Sequence, residues 1–369
     1  MSYARSFARN SQGERELEWG VCGTKLFFNN KTFPPLGDRD MANFHTKDLS
    51  QSSFLITGGA GFIGSHISEY LLKNGAKKVR VLDNLANGFQ SNLSILQQYN
   101  QFEFIEGDIR NIDTCNQACA GMDYVSHQAA LGSVPRSIKE PVYFTEVNVG
   151  GCANMLKAAV DNNIKQFVYA SSSSVYGDEP TLPKNENKVG NCLSPYAATK
   201  KTNELYAQVF ADVYGIKLMG FRYFNIFGPR QDPDGAYAAV IPLFVKHIMK
   251  RTEVFINGDG AQTRDFTFID NAVQINIKGM LTENAKALNK VYNVAVGENF
   301  SVNYLYNACI NYLKSDFAAT YREPRAGDIR DSLADISLAK KMLDYQPVKK
   351  FEEGLEETIE FFKQMYLNG

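Results

Sequence analysis

The sequence predicts an α/β protein with a doubly wound parallel sheet. From residue 52 onward, short apolar segments typical of buried strands alternate with segments that have the periodicity of helices. The first strand, residues 54–57, is followed by a cluster of glycines and then by apolar residues at helical spacing. Acidic residues follow the second and third strands, at the end of a parallel sheet where ligands bind. These observations indicate a Rossmann-type domain, and the rest of the chain is expected to form a smaller C-terminal α/β lobe.

The glycine cluster has the spacing of a turn that binds a dinucleotide. Gly58 permits a sharp turn, Gly61 lets the backbone approach a diphosphate, and Gly64 lets the following helix pack closely on the strand. The helix begins with Phe62 and Ile63, and its first N–H groups would face the anion together with the positive end of the helix dipole. The alternative is a turn that needs glycines for its shape alone.

The acidic residues after the next two strands favour NAD as the dinucleotide. Residues 78–82 form the second predicted strand, and Asp83 follows it at the distance expected for a residue that binds ribose. A carboxylate there can bind both hydroxyls of the adenosine ribose and would repel the 2′-phosphate of NADP. The third predicted strand, residues 102–106, leads to Asp108, which we expect beside the adenine.

Composition and charge argue against several other classes of protein. The chain has 369 residues and a net charge of −1, so no overall field favours nucleic acid or an anionic membrane as a partner. It has no run of about 18 apolar residues that could span a membrane. Its six cysteines and four histidines lack the spacing of metal ligands, which predicts a cytoplasmic protein without a structural metal.

Three regions are expected along the chain. Residues 1–50 are polar and irregular, and we interpret them as an N-terminal extension that is either dispensable or packed on a surface. Residues 51–222 would form the NAD-binding domain, and residues 223–369 would form the lobe that binds the substrate. Part of this lobe, about residues 264–296, is expected to return to the first domain.

A serine loop and a Tyr–Lys pair form the candidate catalytic centre. The strand predicted over residues 165–170 runs into four serines, residues 171–174, which are either a ligand-binding loop or a flexible polar loop. Tyr196 and Lys200 lie four residues apart and share one face of a predicted helix. An ammonium group favours the phenolate of a neighbouring tyrosine, which can take a proton from a sugar hydroxyl as hydride moves to NAD.

With these motifs, the chain resembles the extended short-chain dehydrogenase/reductase family. Within it, the likeness is to UDP-hexose 4-epimerases, especially bacterial UDP-N-acetylglucosamine 4-epimerases, and it runs from about residue 52 to about residue 365. The resemblance implies catalytic roles for Tyr196, Lys200 and Ser172. It implies that NAD is bound by Gly58, Gly61, Phe62, Ile63, Gly64, Asp83, Asn84, Asp108, Ile109, Gln128, Ala129, Ala130, Tyr196 and Lys200. It implies that the UDP-sugar is bound by Ser133, Ser172, Ser173, Asn225, Gln231, Val240, Phe255, Asn257, Arg264, Arg325, Asp328 and Ser332.

The resemblance also implies a reaction and a sugar. Residues 172–174 are serines where family members that eliminate water carry Thr-Asp-Glu, which argues against a 4,6-dehydratase. Ser332 occupies the position of a tyrosine in enzymes restricted to glucose and galactose, and a small residue there leaves room for an N-acetyl group. We therefore expect reversible, NAD-dependent C4 epimerisation of UDP-N-acetylglucosamine and UDP-N-acetylgalactosamine through a 4-keto sugar. UDP-glucose and UDP-galactose are further candidate substrates.

Two other functions stay open at this point. One is a UDP-glucuronate-type epimerase or another UDP-sugar oxidoreductase on the same scaffold, which would need a basic residue for the carboxylate of its sugar. The other is a non-catalytic NAD-binding protein, which would be expected to lose Tyr196, Lys200 or the arginines. The resemblance also implies a homodimer, in which helices near residues 141–161 and 195–214 pair as a four-helix bundle.

Overall fold

The computed structural model describes residues 7–9, 15–17, 42–234, 238–324 and 330–367. Its strands are β1 (Phe7–Arg9), β2 (Arg15–Leu17), β3 (Ser53–Thr57), β4 (Lys78–Asp83), β5 (Phe102–Glu106), β6 (Tyr124–His127), β7 (Gln166–Ser172), β8 (Leu218–Tyr223), β9 (Ile226–Phe227), β10 (Val254–Asn257), β11 (Thr263–Arg264), β12 (Thr267–Phe268), β13 (Lys290–Val294), β14 (Phe300–Ser301) and β15 (Ala319–Arg322). Its α-helices are α1 (Phe62–Lys73), α2 (Gln90–Leu96), α3 (Ile112–Cys119), α4 (Val134–Lys139), α5 (Pro141–Thr145), α6 (Gly151–Asp161), α7 (Pro195–Tyr214), α8 (Val240–Met249), α9 (Ile269–Leu281), α10 (Val302–Leu313), α11 (Ser337–Leu343) and α12 (Phe351–Leu367).

A seven-stranded sheet in the order β13-β8-β7-β6-β3-β4-β5 organises these elements. All of its strand pairs are parallel. β3 and β6 are buried along their whole length, because helices cover both faces of the sheet. The strand order runs outward in both directions from β3 and β6, so their carboxyl ends flank the crevice at which such sheets bind ligands. The predicted Rossmann-type sheet is confirmed.

The helix expected near residues 141–161 is divided into three segments. α5 passes into a π-helical turn (Glu146–Gly150), which continues as α6. The turn carries the buried Asn148, whose side chain accepts a hydrogen bond from the backbone nitrogen of Leu131 at 2.8 Å and donates one to its carbonyl oxygen at 3.1 Å. Asn148 also donates to the hydroxyl of Thr199 on α7. The π-helical turn therefore fixes the loop after β6 against α7.

A smaller lobe is built around α8, α10 and α12, which pack against one another. It contains the parallel pair β10–β15, and the short pairs β11–β14 and β9–β12 lie nearby in the sequence. From the segment expected to return to the first domain, α9 packs against α1 and β7, and β13 is an edge strand of the central sheet.

Residues 42–50 pack on the Rossmann-type domain. Phe44 and Leu49 are buried, and the Phe44 ring stacks on Tyr70 of α1 with 5.0 Å between ring centroids. The Tyr70 hydroxyl accepts a hydrogen bond from the backbone nitrogen of Phe44 at 2.7 Å. Further along, the Lys47 ammonium donates to the hydroxyl of Tyr124 on β6 at 3.0 Å. The packed part of the chain therefore begins before the expected domain boundary.

Candidate active site

The carboxyl ends of the central strands open into a cavity of about 990 Å³. All the residues assigned to NAD from the sequence line this cavity: Gly58, Gly61, Phe62, Ile63, Gly64, Asp83, Asn84, Asp108, Ile109, Gln128, Ala129, Ala130, Tyr196 and Lys200. Five of those assigned to the UDP-sugar line it as well: Ser133, Ser172, Ser173, Asn225 and Gln231. Residues from distant parts of the sequence therefore meet in one place.

The glycine turn brings backbone close to the cavity. Gly58 has a φ of +68°, and a Cβ atom there would lie 2.8 Å from the backbone nitrogen of Ala129. A Cβ atom at Gly64 would lie 2.3 Å from the carbonyl oxygen of Gly58, so glycine is needed for α1 to begin this close to the turn. α1 begins after Gly61, and no described side chain caps its first N–H groups. This cradle fits the diphosphate of a dinucleotide.

Two carboxylates lie where the sequence predicts the adenosine. Asp83 is buried and accepts two backbone hydrogen bonds, at 3.0 and 2.8 Å. Burial raises the pKa of Asp83, and these hydrogen bonds oppose the shift. Its oxygens keep further acceptor positions for ribose hydroxyls. Asp108 is held by Arg110, whose Nη2 lies 2.7 Å from Oδ2, and by the amide of Asn84 at 3.1 Å. Burial acts to raise the pKa of Asp108, but these hydrogen bonds outweigh burial, so the pKa is lowered.

A buried amide network supports the wall formed by Gln128. Its amide nitrogen donates to Oδ1 of Asn276 at 3.0 Å, and its amide oxygen accepts from the hydroxyl of Tyr223 at 3.2 Å. Asn276 closes the network by donating to the Tyr223 hydroxyl at 2.7 Å. The sequence analysis missed both partners. Tyr223 lies two residues before Asn225, which the sequence analysis assigned to the substrate. Asn276 on α9 is remote in sequence from the other site residues, and no local sequence pattern predicts its role.

Tyr196 and Ser172 meet in the cavity. Ser194 precedes the first turn of α7, and its hydroxyl accepts a hydrogen bond from the backbone nitrogen of Ala197 at 3.1 Å. Tyr196 and Ser172, the last residue of β7, both line the cavity. Burial raises the pKa of Tyr196, and the Ser172 side chain opposes this shift. Ser172 also accepts a hydrogen bond from the Ser174 hydroxyl at 2.9 Å.

Lys200 lies one helical turn after Tyr196, among largely neutral groups. Its ammonium donates to the carbonyl oxygen of Ala170 at 2.8 Å. Burial lowers the pKa of Lys200 to about 8, and the Cys152 thiol weakly opposes this. His127, buried nearby, has its pKa lowered to about 3 by burial and by Lys200, so this imidazole is neutral at pH 7.

Two buried side chains that the sequence analysis did not identify hold α7 in place. Ser137 on α4 accepts a hydrogen bond from the backbone nitrogen of Tyr196 at 3.1 Å. Glu204, one turn beyond Lys200, accepts one from the Ser171 hydroxyl at 2.6 Å and two from Arg222, at 2.8 and 2.9 Å. Glu204 continues the four-residue spacing of Tyr196 and Lys200, so its position on the same helix face could have been predicted from the sequence. No sequence pattern predicts the contact made by Ser137.

The other described residues assigned to the substrate do not line this cavity. Val240 begins α8, directly after Ala239, which does line it. Phe255 and Asn257 lie on β10 and share a partner, because the Arg322 guanidinium lies 4.5 Å from the Phe255 ring and donates to Asn257 at 2.7 Å.

Arg264 and Ser332 lie close together, because both bind the carbonyl oxygen of Thr263. Arg264 lies on β11, and its Nη1 donates to the carbonyl oxygen of Thr263 at 2.8 Å. The same carbonyl oxygen accepts a hydrogen bond from the backbone nitrogen of Ser332 at 3.2 Å. Arg325 and Asp328 lie outside the described residues.

The described residues contain no group of three or more His, Cys, Asp or Glu side chains arranged to hold a metal ion. Among the described helices, none combines the length and the apolar character needed to cross a membrane.

The fold and the cavity together define a class of protein. A doubly wound parallel sheet, a glycine turn, an acidic residue after the adjacent strand and a Tyr–Lys pair in one cavity are the features of an enzyme that uses a nicotinamide dinucleotide. The chain belongs to the NAD dependent epimerase/dehydratase family, which matches residues 54–295. Its cofactor is NAD, and the resemblance to the extended short-chain dehydrogenase/reductases is confirmed.

Three relatives illustrate the similarity. A UDP-glucose 4-epimerase of Mycolicibacterium smegmatis is 34% identical over 311 residues, which cover 84% of this chain and 98% of the relative. A UDP-N-acetylglucosamine 4-epimerase from Methanobrevibacter ruminantium, solved with UDP-N-acetylmuramic acid, is 38% identical, with a TM-score of 0.80 and coverage of 85% and 98%. A UDP-glucuronic acid 4-epimerase from Bacillus cereus, solved with UDP-glucuronic acid and NAD, is 30% identical, with a TM-score of 0.80 and coverage of 85% and 100%.

Proposed function

We propose that the protein interconverts UDP-N-acetylglucosamine and UDP-N-acetylgalactosamine by reversible epimerisation at C4, and that it also accepts the corresponding glucose and galactose compounds. The protein is an enzyme of the UDP-sugar 4-epimerase type, as its family and relatives show. The observation that carries the proposal is the meeting of Tyr196, Ser172 and Lys200 in the cavity that the glycine turn and Asp83 also line.

The proposed chemistry needs a proton acceptor at the 4-hydroxyl of the sugar. When bound, NAD supplies a reversible acceptor for the hydride at C4. Tyr196 as phenolate takes the proton from the 4-hydroxyl and later returns it, and Ser172 orients the same oxygen. In this mechanism the positive charge of the Lys200 ammonium favours the phenolate of Tyr196, and the same group holds the nicotinamide ribose.

Inversion at C4 requires that the sugar turn while the nucleotide stays in place. In the proposed arrangement, Tyr196 and Ser172 act on the sugar, and Arg264, Arg325 and Asn225 hold the diphosphate. Guanidinium groups suit this role because their fork of N–H donors matches phosphate oxygens. Uridine would lie against Val240, Phe255 and Asn257, with Asp328 on its ribose, in the smaller lobe.

Two observations support an acetamido sugar as the preferred substrate. Ser332 is a small residue where the resemblance places the far side of the hexose pocket, with Ser173 and Gln231 as further neighbours of the acetamido group. In addition, the Methanobrevibacter ruminantium relative, 38% identical, is named a UDP-N-acetylglucosamine 4-epimerase.

A UDP-glucuronate 4-epimerase is the second candidate. The Bacillus cereus relative is named for this activity, and Arg136 in the cavity is a basic residue of the kind that a sugar carboxylate would need. Including UDP-glucuronate among the tested substrates separates the two candidates.

We also propose a homodimer formed through α7. Leu205, Val209 and Val213 recur every four residues on α7 and are 58%, 56% and 66% exposed. Val142 on α5, which packs against α7, is 70% exposed. A contiguous apolar surface of this kind is typical of a protein interface, and the resemblance places two such helix pairs in a four-helix bundle.

Proton NMR of the anomeric signals tests the proposed function directly. Purified protein is incubated with UDP-N-acetylglucosamine and without added NAD. Signals of UDP-N-acetylgalactosamine are expected, because NAD is expected to remain bound through the cycle. If only UDP-galactose is converted, the proposed 4-epimerase activity stands and the proposed preference for acetamido sugars is refuted. If only UDP-glucuronate is converted, the second candidate is favoured.

The substitution Ser332→Tyr tests the proposed role of this residue in sugar selection. A tyrosine there is expected to suppress turnover of UDP-N-acetylglucosamine and to spare UDP-galactose, because the larger side chain fills the space for the acetamido group. Both substrates are assayed in the same NMR experiment, with Ser332→Ala as the control of similar volume. If Ser332→Tyr leaves the turnover of both substrates unchanged, the proposed role of Ser332 fails.

A further inference from the structure

Arg136 is a cavity-lining cation to which neither the sequence analysis nor the proposed mechanism assigns a role. It lies on α4, one turn after Ser133, whose hydroxyl accepts a hydrogen bond from the backbone nitrogen of Arg136. Its guanidinium lies 5.7 Å from the centre of the Tyr143 ring and donates from Nε to Glu140 at 3.1 Å. The side chain is 32% exposed, so part of it is accessible from the cavity.

The cavity contains few positive charges for the ligands it must hold. NAD carries a diphosphate, and a UDP-sugar carries a second one. The described lining residues already include four acidic side chains: Asp83, Asp108, Glu140 and Asp232. The described cations among them are Lys200 and Arg136. Because Lys200 is buried and bonded to the carbonyl oxygen of Ala170, the accessible cation is Arg136.

A series of contacts places Arg136 between the two ends of the dinucleotide site. At the adenosine end, Asp108 binds Arg110, whose guanidinium lies 5.4 Å from the centre of the Tyr143 ring. The same ring contacts Arg136. At the other end, Ser137, the next residue along α4, binds the backbone of Tyr196. The diphosphate of NAD joins these two ends.

We propose that Arg136 binds a diphosphate in the cavity and exchanges Glu140 for the phosphate oxygens when the ligand enters. The exchange is favourable because a partly exposed ion pair holds its partners weakly, whereas guanidinium–phosphate pairs make two parallel hydrogen bonds. Tyr143 keeps the guanidinium in place during the exchange through its ring. The inference rests on NAD as cofactor and on a UDP-sugar as substrate, and it is independent of which hexose is converted.

The two partners of the ion pair give variants with opposite expected effects. Arg136→Gln removes the cation, and Glu140→Gln removes its competitor, so both break the same ion pair. Binding of a diphosphate is expected to weaken about tenfold in Arg136→Gln and to strengthen in Glu140→Gln. Arg136→Lys, which keeps the charge and loses the fork of donors, is expected to lie between wild type and Arg136→Gln. Arg251→Gln breaks an exposed Arg–Asp pair outside the cavity and serves as the charge-matched control.

Two measurements on the purified full-length protein distinguish the two diphosphates, and neither depends on turnover. The first is the rate at which bound NAD exchanges with labelled NAD, and the second is the Kd of UDP from titration calorimetry. Opposite shifts of the two variants in NAD exchange assign Arg136 to the cofactor, and opposite shifts in the Kd of UDP assign it to the substrate. Shifts in the same direction would indicate a structural ion pair and overturn the proposal. Unchanged NAD exchange and an unchanged Kd of UDP in both variants would overturn it as well.

Discussion

Tyr196 and Lys200 lie in surroundings that oppose the charges which their proposed roles require. Burial raises the pKa of Tyr196, away from the phenolate, and lowers the pKa of Lys200 to about 8, towards the neutral amine. Each group favours the charged form of the other, because a phenolate and an ammonium on one helix face attract. The Ser172 side chain also acts to lower the pKa of Tyr196. The reactivity of Tyr196 therefore depends on how closely these three side chains are held together.

The substitution Tyr196→Phe tests the role of the hydroxyl group. Turnover is expected to fall by about 10²–10⁴-fold, because the ring remains but the proton acceptor is lost. Bound NAD and the Kd of UDP are expected to stay close to wild type, as measured by nucleotide release and calorimetry. Turnover near the wild-type rate would show that another group accepts the proton.

The substitution Ser137→Ala tests whether Ser137 positions Tyr196. Removing the acceptor of the Tyr196 backbone N–H is expected to lower kcat about tenfold with little change in KM, because the tyrosine shifts relative to Ser172. The acidic limb of the pH profile is expected to move to higher pH, since a weaker bond to Ser172 raises the pKa of Tyr196. Ser137→Thr keeps the hydroxyl and is expected to restore both values. A lower melting temperature with unchanged kcat and pH profile would indicate a purely structural role.

Elements that depend on local sequence were predicted well. The glycine turn, the helix that carries Tyr196 and Lys200, and the strands around the crevice each have a local pattern, and the structure confirms them. Contacts between distant segments leave no such pattern. Asn276 and Ser137 reach the site only because α9 and α4 pack there, and the π-helical turn around Asn148 arises from its contact with the loop after β6.

The segment just before β3 is a further case of long-range packing. Phe44 has polar neighbours and no periodic pattern, so its burial against Tyr70 could not be predicted from the sequence. The substitution Phe44→Ala is expected to lower the free energy of unfolding by about 2–4 kcal/mol, because it removes a buried ring and its stacking contact with Tyr70. Denaturant unfolding of the full chain measures this, with the exposed Leu367→Ala as control. Equal stability of both variants would show that the contact between Phe44 and Tyr70 does not stabilise the domain.

At the scale of the whole molecule, the proposed functions are divided between two parts of the chain. The cavity at the carboxyl ends of the central strands contains Tyr196, Lys200 and the residues assigned to NAD, and the smaller lobe contains Val240, Phe255 and Asn257, which are assigned to uridine. A buried ion pair between Arg230 and Glu69, at 2.6 Å, ties the segment after β9 to α1. This arrangement suits a reaction in which the nucleotide is anchored in one part while the sugar turns in the other.

The exposed face of α7 connects the proposed dimer to this site, since the same helix carries Tyr196 and Lys200. The substitution Val209→Glu places a charge in the middle of the apolar stripe formed with Leu205 and Val213, and it is expected to convert a dimer into monomers. Light scattering after size-exclusion chromatography measures the mass directly. Leu367→Glu introduces the same charge at an exposed position of α12 and is expected to leave the mass unchanged. A wild-type protein that elutes as a monomer, or a Val209→Glu variant that stays dimeric, would exclude this face as the interface.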